Sequence, residues 1–199
     1  MLEGKENPVT PEVQKALLSL VKLSFLGMSV GNEGTGFRVD DELYTADHLR
    51  HTNTAVLTYT PKHISLPLLD PMSLDSLYDL AIYALPRELK GKMPSLQKTE
   101  IIPKDGRVFM LGFPNFSQSD GAAWDLPVAI PANIFYKTSD SIGLMTNDSS
   151  PHQEKYAGLS GGPVVTPDGK VVAFVHGYML GAIEAFTLNA VHPRQLKHP

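Results

Sequence analysis

The chain has 199 residues, 42% of them hydrophobic and 19% charged, with a formal charge of −4 and no cysteine. That length can bury a substantial core, and the mildly acidic balance excludes a broad electrostatic footprint for nucleic acid or for an anionic membrane. The absence of Cys excludes a disulfide-stapled scaffold and favours a reducing, intracellular, cytoplasmic setting, and no apolar run reaches the length of a membrane span.

The N-terminus lacks the pattern of a secretory signal. Thr10-Pro11-Glu12 opens the one helix the sequence predicts. Thr10 suits the cap, Pro11 the first helical position, and Val13, Ala16, Leu17, Leu20 and Val21 share a face. Short strands are then expected at Leu23–Val30, Thr35–Val39, Glu42–Thr45, Ala55–Thr60 and Leu80–Leu85. A second series follows at Arg107–Phe113, Ala129–Lys137, Ser141–Thr146, Gly162–Thr166, Val171–His176 and Glu184–Leu188. Between the two series, Pro86–Pro103 carries Lys90, Lys92 and Lys98 and reads as a solvated connection. Asn115–Trp124 is polar and reads as a long loop. Many short strands punctuated by 16 Pro and 16 Gly describe an all-β barrel or sandwich. No repeat or low-complexity tract is present.

The chemistry concentrates in Gly158-Leu159-Ser160-Gly161-Gly162-Pro163. A serine that attacks a carbonyl needs backbone N–H groups converging on the developing oxyanion, and glycines let the backbone approach closely enough. The N–H groups of Gly158 and Ser160 are the expected donors. Such a Ser needs a base, and the base an orienting acid. Among seven His, His48 follows a strand–turn–strand unit, Gly34–Val39, Asp40-Asp41 and Glu42–Thr45, in the run Thr45-Ala46-Asp47-His48. Asp79 stands at the mouth of the apolar run Leu80-Ala81-Ile82-Tyr83, where a largely buried carboxylate can fix an imidazole tautomer.

G-x-G-F, T-A-x-H, D-L-A-I and G-x-S-G-G-P, in that order between Val30 and Phe186, resemble the chymotrypsin-like serine proteases. The resemblance implies an all-β, chymotrypsin-like double six-stranded β-barrel with a short N-terminal helix and the active site in the cleft between barrels. It implies His48 as general base, Asp79 as orienting acid and Ser160 as nucleophile, with no metal and no cofactor. The corresponding division is an N-terminal segment at 1–22, a first barrel at 23–90 carrying His48 and Asp79, a linker at 91–106, and a second barrel at 107–199 carrying Ser160 and the specificity pocket. Two departures matter. Leu159 stands where secreted digestive relatives carry an Asp that pairs with a freshly cut N-terminus, so that activation switch is not expected. Asp47 replaces a small residue and is expected to be exposed and turned away from His48.

Specificity is expected from the strand after the nucleophile, Val171–Tyr178, and the loop before it. His176 is a polar ring in an apolar strand and needs a partner. Viral main proteases and glutamyl endopeptidases carry a His at a similar place that reads Glu or Gln, so His176 and the adjacent Gly177 are assigned to substrate binding. Lys155 would add positive potential for an acidic side chain. Glu154 argues the other way, towards Lys or Arg. Small size, absent disulfides, Leu159 and His176 together look like the polyprotein proteases of positive-strand RNA viruses, of sobemovirus, astrovirus and arterivirus type. The expected substrate is then a polypeptide or polyprotein, with no nucleic acid required. A cellular stress or housekeeping protease and a catalytically silent binding protein of the same fold remain open. An α/β-hydrolase does not fit, because there the His comes last in chain order.

Overall fold

The computed structural model of the chain describes residues 8–24, 34–52, 54–57, 64–68, 70–114, 126–146, 156–179, 182–188 and 194–195. Helix α1 is Pro11–Ala16, its start capped by Thr10, whose hydroxyl accepts the Val13 N–H. The predicted helix overshoots. Leu17–Ser19 tighten into a 3₁₀ turn, and Leu20 and Val21 open strand β1, Leu20–Ser24. Their burial is as expected but serves a sheet, because Leu20 to Leu23 pair antiparallel with Phe37 to Gly34.

The first half continues with β2 (Gly34–Val39), β3 (Glu42–Ala46), a 3₁₀ turn at Asp47–Leu49, β4 (Thr54–Leu57), β5 (Ile64–Pro67), β6 (Ser73–Asp75) and β7 (Leu80–Ala84). A one-turn helix α2 (Arg87–Lys90) leads into the connection, where Leu96 N–H bonds the Arg38 carbonyl and Gln97 and Thr99 bond Val171. The second half is β8 (Arg107–Gly112), β9 (Val128–Lys137), β10 (Ser141–Thr146), β11 (Pro163–Val165), β12 (Val171–Met179) and β13 (Ala182–Thr187), with β14 (Arg194–Gln195) near the end.

Strands β8 to β13 close into a six-stranded barrel in the order β10-β13-β12-β11-β8-β9. The other sheet has eight strands among the described residues, β14-β6-β7-β3-β2-β1-β4-β5, where six were expected. The difference lies in short edge pieces. β14 arrives from the far end of the chain to pair with β6, through Arg194↔Leu74 and Gln195↔Ser73. The expected long loop at Asn115–Trp124 falls outside the described residues.

Three apolar clusters hold this arrangement. One fills the first half around Val21, Leu43, Leu49, Tyr83 and Leu89. One fills the closed barrel around Val108, Ile142, Leu144, Leu159 and Val164. The third spans both halves, with Leu20, Phe37 and Leu80 against Phe109, Phe113 and Phe174, and it also takes Val13 and Ala16 of α1. The halves therefore share buried apolar surface, the dominant favourable term in such packing. Helix α1 is tied to the second half as well, since the Thr10 hydroxyl donates to the Pro167 carbonyl at 2.7 Å.

Candidate active site

The site begins where β3 ends. The 3₁₀ turn after Ala46 buries Asp47 and Leu49 and leaves His48 between them with a side chain 45% exposed. The turn before β7 meets it. Asp75 Oδ1 accepts the N–H groups of Leu77 and Tyr78, which starts a tight reversal. Asp79 then sits at φ +53°, in the left-handed region that Asp tolerates better than most residues. This conformation lets one residue serve the neighbouring turn three times. The Asp79 carbonyl accepts the Asp47 N–H at 2.8 Å, Oδ1 accepts the His48 N–H at 2.8 Å, and Oδ2 lies 2.7 Å from His48 Nδ1.

Asp47 is not exposed as expected. It is buried, 2.6 Å from Arg50 Nε, and its carboxylate accepts the Ser76 hydroxyl at 3.3 Å. The turn needs an inward residue at this register, and Arg50 supplies the counter-charge that such a carboxylate requires.

The loop that carries Ser160 rests on the first half. Gly158 and Gly161 take φ +90° and +79°. A Cβ at Gly161 would collide with Thr45 Oγ1 and the Thr35 carbonyl oxygen, so the close approach itself demands glycine. Leu159 turns into the core of the closed barrel. Thr35 bolts the loop in place from β2. Its N–H donates to the Ser160 carbonyl at 2.9 Å, its hydroxyl donates to the Gly158 carbonyl at 2.7 Å, and the same oxygen accepts the Phe113 N–H at 3.2 Å. On the other side Gly161 N–H bonds the Val175 carbonyl, and Val175 N–H bonds the Gly162 carbonyl, both at 2.8 Å. The Ser160 hydroxyl donates to the His176 carbonyl at 3.4 Å and makes no bond to His48 in this conformation.

His176 lies on β12, where the pairing with β13 shifts register between Val175 and Gly177. Its Nδ1 is 2.7 Å from Asp79 Oδ2, the same oxygen that His48 engages. The two rings stand 6.1 Å apart, edge to face, and His176 also packs against Phe186 at 5.0 Å. Burial pushes the Asp79 carboxyl up, but the hydrogen bonds from His176, then from the His48 ring and backbone, outweigh it and hold the group well below the usual carboxylate range. The Asp79 hydrogen bond raises His176 above an ordinary imidazole against the opposing effect of burial, and the Asp79 and Glu184 charges add to the rise.

A cavity of about 250 Å³ opens beside these groups, lined by His48, Ser160, His176, Tyr156, Ala157, Val175, Gly177 and Ile183. Tyr156 is anchored through its hydroxyl to Thr146 Oγ1 at 2.7 Å. A Cβ at Gly177 would meet nothing within 4 Å, so the wall is open there. Lys155 and Glu154 lie outside the described residues, as does the rest of 147–155. His48, Asp79 and His176 are the one grouping among the described residues whose ligand-type atoms fall within 4.8 Å of one another. Their 2.7 Å nitrogen–oxygen separations are those of shared protons, and we read the cluster as hydrogen-bonded.

The structure thus brings together His48, Asp79, Ser160 and His176, with Gly158 and Gly177 beside them. Sequence reasoning missed Thr35. Its signal was a polar side chain between two glycines, in a strand whose neighbours are apolar. It also missed that His176 meets Asp79, a contact between residues 97 positions apart.

No protein-family model and no curated protein matches the chain. Solved structures do. The Mycobacterium tuberculosis protease Rv3671c, in its inactive form, is 24% identical over 91% of this chain and 89% of its own, with a TM-score of 0.64. A human pathogenic astrovirus serine protease is 17% identical over 88% and 94%, with a TM-score of 0.60. Neuropsin, a serine protease of mouse brain, is 14% identical over 87% and 90%, with a TM-score of 0.64. The structural neighbours are serine proteases of the chymotrypsin type, and the chain has their double-barrel fold.

Proposed function

We propose that the chain is a serine endopeptidase with His48, Asp79 and Ser160 as its triad. The observation that carries this reading is the 2.7 Å contact of His48 Nδ1 with Asp79 Oδ2, at the edge of a cleft that Ser160 also lines. A carboxylate on Nδ1 fixes the tautomer that leaves Nε2 free to accept a proton. Rotation of the Ser160 side chain away from the His176 carbonyl delivers its hydroxyl to that nitrogen; unliganded sites commonly hold this bond open. Ser160 then attacks the peptide carbonyl, and Asp79 stabilises the imidazolium that forms. The N–H groups of Gly158 and Ser160 have no acceptor among the described residues and are left for the oxyanion. His48 returns its proton to the leaving amine, and water hydrolyses the acyl-enzyme by the same route.

The cavity between Tyr156-Ala157 and Val175–Gly177 receives the side chain before the scissile bond. Its chemistry supports an apolar residue best, since Ala157, Val175 and Ile183 line it and Asp79 already engages His176 Nδ1. A second reading, cleavage of a viral polyprotein after Glu or Gln, draws on the presence of His176 in the wall and on the fold shared with the astrovirus protease. Profiling on a peptide library separates the two.

The decisive experiment is labelling with a fluorophosphonate probe, read by mass spectrometry alongside peptide cleavage. The wild type reacts at Ser160 and cleaves, while Ser160→Ala and His48→Ala fold but do neither. Cleavage at full rate by either variant refutes the triad. A folded wild type inert to both probe and peptides leaves a binding protein built on the protease fold.

A further inference from the structure

We propose that His176 is a positioning residue for the same reaction: a second imidazole that grips Asp79 from the closed barrel and, on taking up a proton, weakens the support that Asp79 gives to His48. The inference rests on the triad reading and assigns to His176 a role separate from recognising substrate.

The carboxylate of Asp79 is divided between two barrels. Oδ1 takes the His48 N–H, and Oδ2 takes Nδ1 of both His48 and His176, each at 2.7 Å. With His176 neutral, its Nδ1 carries the proton that makes this bond, and Asp79 keeps its full negative charge for the His48 imidazolium. With His176 protonated, a cation at 2.7 Å offsets that charge, and the two rings, 6.1 Å apart, repel once His48 also charges. The acid then helps its base less, and the barrier rises. The ring has little freedom to escape, since Phe186 packs against it at 5.0 Å.

Among the described residues, Asp79, His48 and Glu184 are the ionisable groups that face His176. Asp79 comes from the turn before β7, His48 from the turn after β3, and Glu184 from β13, opposite Gly177 in the pairing. Glu184 accepts the Tyr136 hydroxyl at 3.3 Å. The two carboxylates both favour the imidazolium, so its proton is retained to higher pH than on a free imidazole. The backbone of the same residue carries the carbonyl that holds the resting Ser160 hydroxyl. One residue therefore touches the acid through its ring and the nucleophile through its main chain.

The test is the pH profile of kcat/KM and of kcat on one peptide, for wild type, His176→Asn and His176→Ala. Asn keeps an N–H donor but does not titrate. The wild-type acid limb is expected to approach a slope of two, and that of His176→Asn a slope of one, whatever the height of the plateau. His176→Ala should lose kcat by about 10- to 100-fold, the scale on which outer-shell partners act, with KM changed less than about 3-fold. Proton NMR provides a substrate-free readout: two low-field imidazole N–H signals in the wild type and one in His176→Asn. Identical acid limbs in wild type and His176→Asn overturn the inference. So does a His176→Ala variant with unchanged kcat and an altered preference at the cleaved residue. Either result leaves the triad intact as long as the probe still labels Ser160.

Discussion

Replacing Thr35 by Val tests whether the nucleophile loop is truly hung from the opposite barrel. Thr35 is fully buried, and its hydroxyl both donates to the Gly158 carbonyl at 2.7 Å and accepts the Phe113 N–H at 3.2 Å. Val keeps the β-branched shape and removes both bonds, stranding a buried C=O and a buried N–H. Each such group costs about 1–3 kcal/mol, so we expect a loss of about 2–6 kcal/mol of stability. For a chain of this size that is a fall of about 4–24 °C in Tm. A methyl also replaces an oxygen at hydrogen-bond distance from the Gly158 carbonyl, which pushes residue 158 away and misaims its N–H. Loss of one oxyanion donor costs about 10²–10³ in kcat, so activity should fall further than stability alone requires at a temperature where the variant is folded. Thr35→Ser is the control. It keeps the hydroxyl and deletes one methyl, worth about 0.8 kcal/mol, and should retain near-normal kcat. Urea unfolding followed by fluorescence gives the stability, and peptide cleavage at 15 °C gives kcat. If Thr35→Val unfolds within about 0.5 kcal/mol of the wild type and cleaves at the same rate, the loop does not depend on this bolt.

Asp79→Asn should fold and lower kcat by about 10⁴, as expected when the imidazole is held in the wrong tautomer; a loss under about 10-fold in a steady-state assay speaks against Asp79 as the orienting acid. Gly161→Ala, at φ +79° with Thr45 and Thr35 against the new Cβ, should cost about 3 kcal/mol or more, and a urea midpoint equal to wild type contradicts the close approach. Stability should also follow pH with two signs. Asp79 titrates below its unfolded value, so its contribution is present above about pH 4 and is lost as pH falls through the folded pKa. His176 titrates above its unfolded value, so its contribution is fully present below about pH 6.5 and is lost as pH rises through the folded pKa. The difference in urea midpoint between wild type and His176→Asn should accordingly shrink from pH 6 to pH 9, and a constant difference counts against the Asp79–His176 bond.

The parts of this site that the sequence displays are those where chemistry dictates residue type at short range. Gly158–Pro163 reads as a nucleophile loop because only glycines tolerate φ +90° and +79° beside a neighbouring strand. The runs ending at His48 and beginning at Asp79 read as strand ends because β3 and β7 pair side by side, Ala46 against Leu80. The less legible features depend on partners distant in sequence. The hydroxyl of Thr35 finds its acceptor 123 residues away. That the His176 ring lines the cleft and also reaches Asp79 depends on its place in β12, beside the register shift between Val175 and Gly177, and on a partner 97 positions away. The helix overshoots because Leu20 and Val21 satisfy a helical stripe and a buried strand equally well, and pairing with β2 takes them. Strands β5, β6 and β14 are two to four residues long and too short to carry a period of their own.

The two ends of the chain each fasten to the half they do not belong to. Helix α1 precedes the first sheet yet hydrogen-bonds Pro167 beyond β11, and β14 follows the closed barrel yet pairs with β6 of the first sheet. Like folded arms, these crossings oppose any swing that would widen the groove between base and hydroxyl. If the cleft takes a peptide as proposed, the two halves meet it as one braced body.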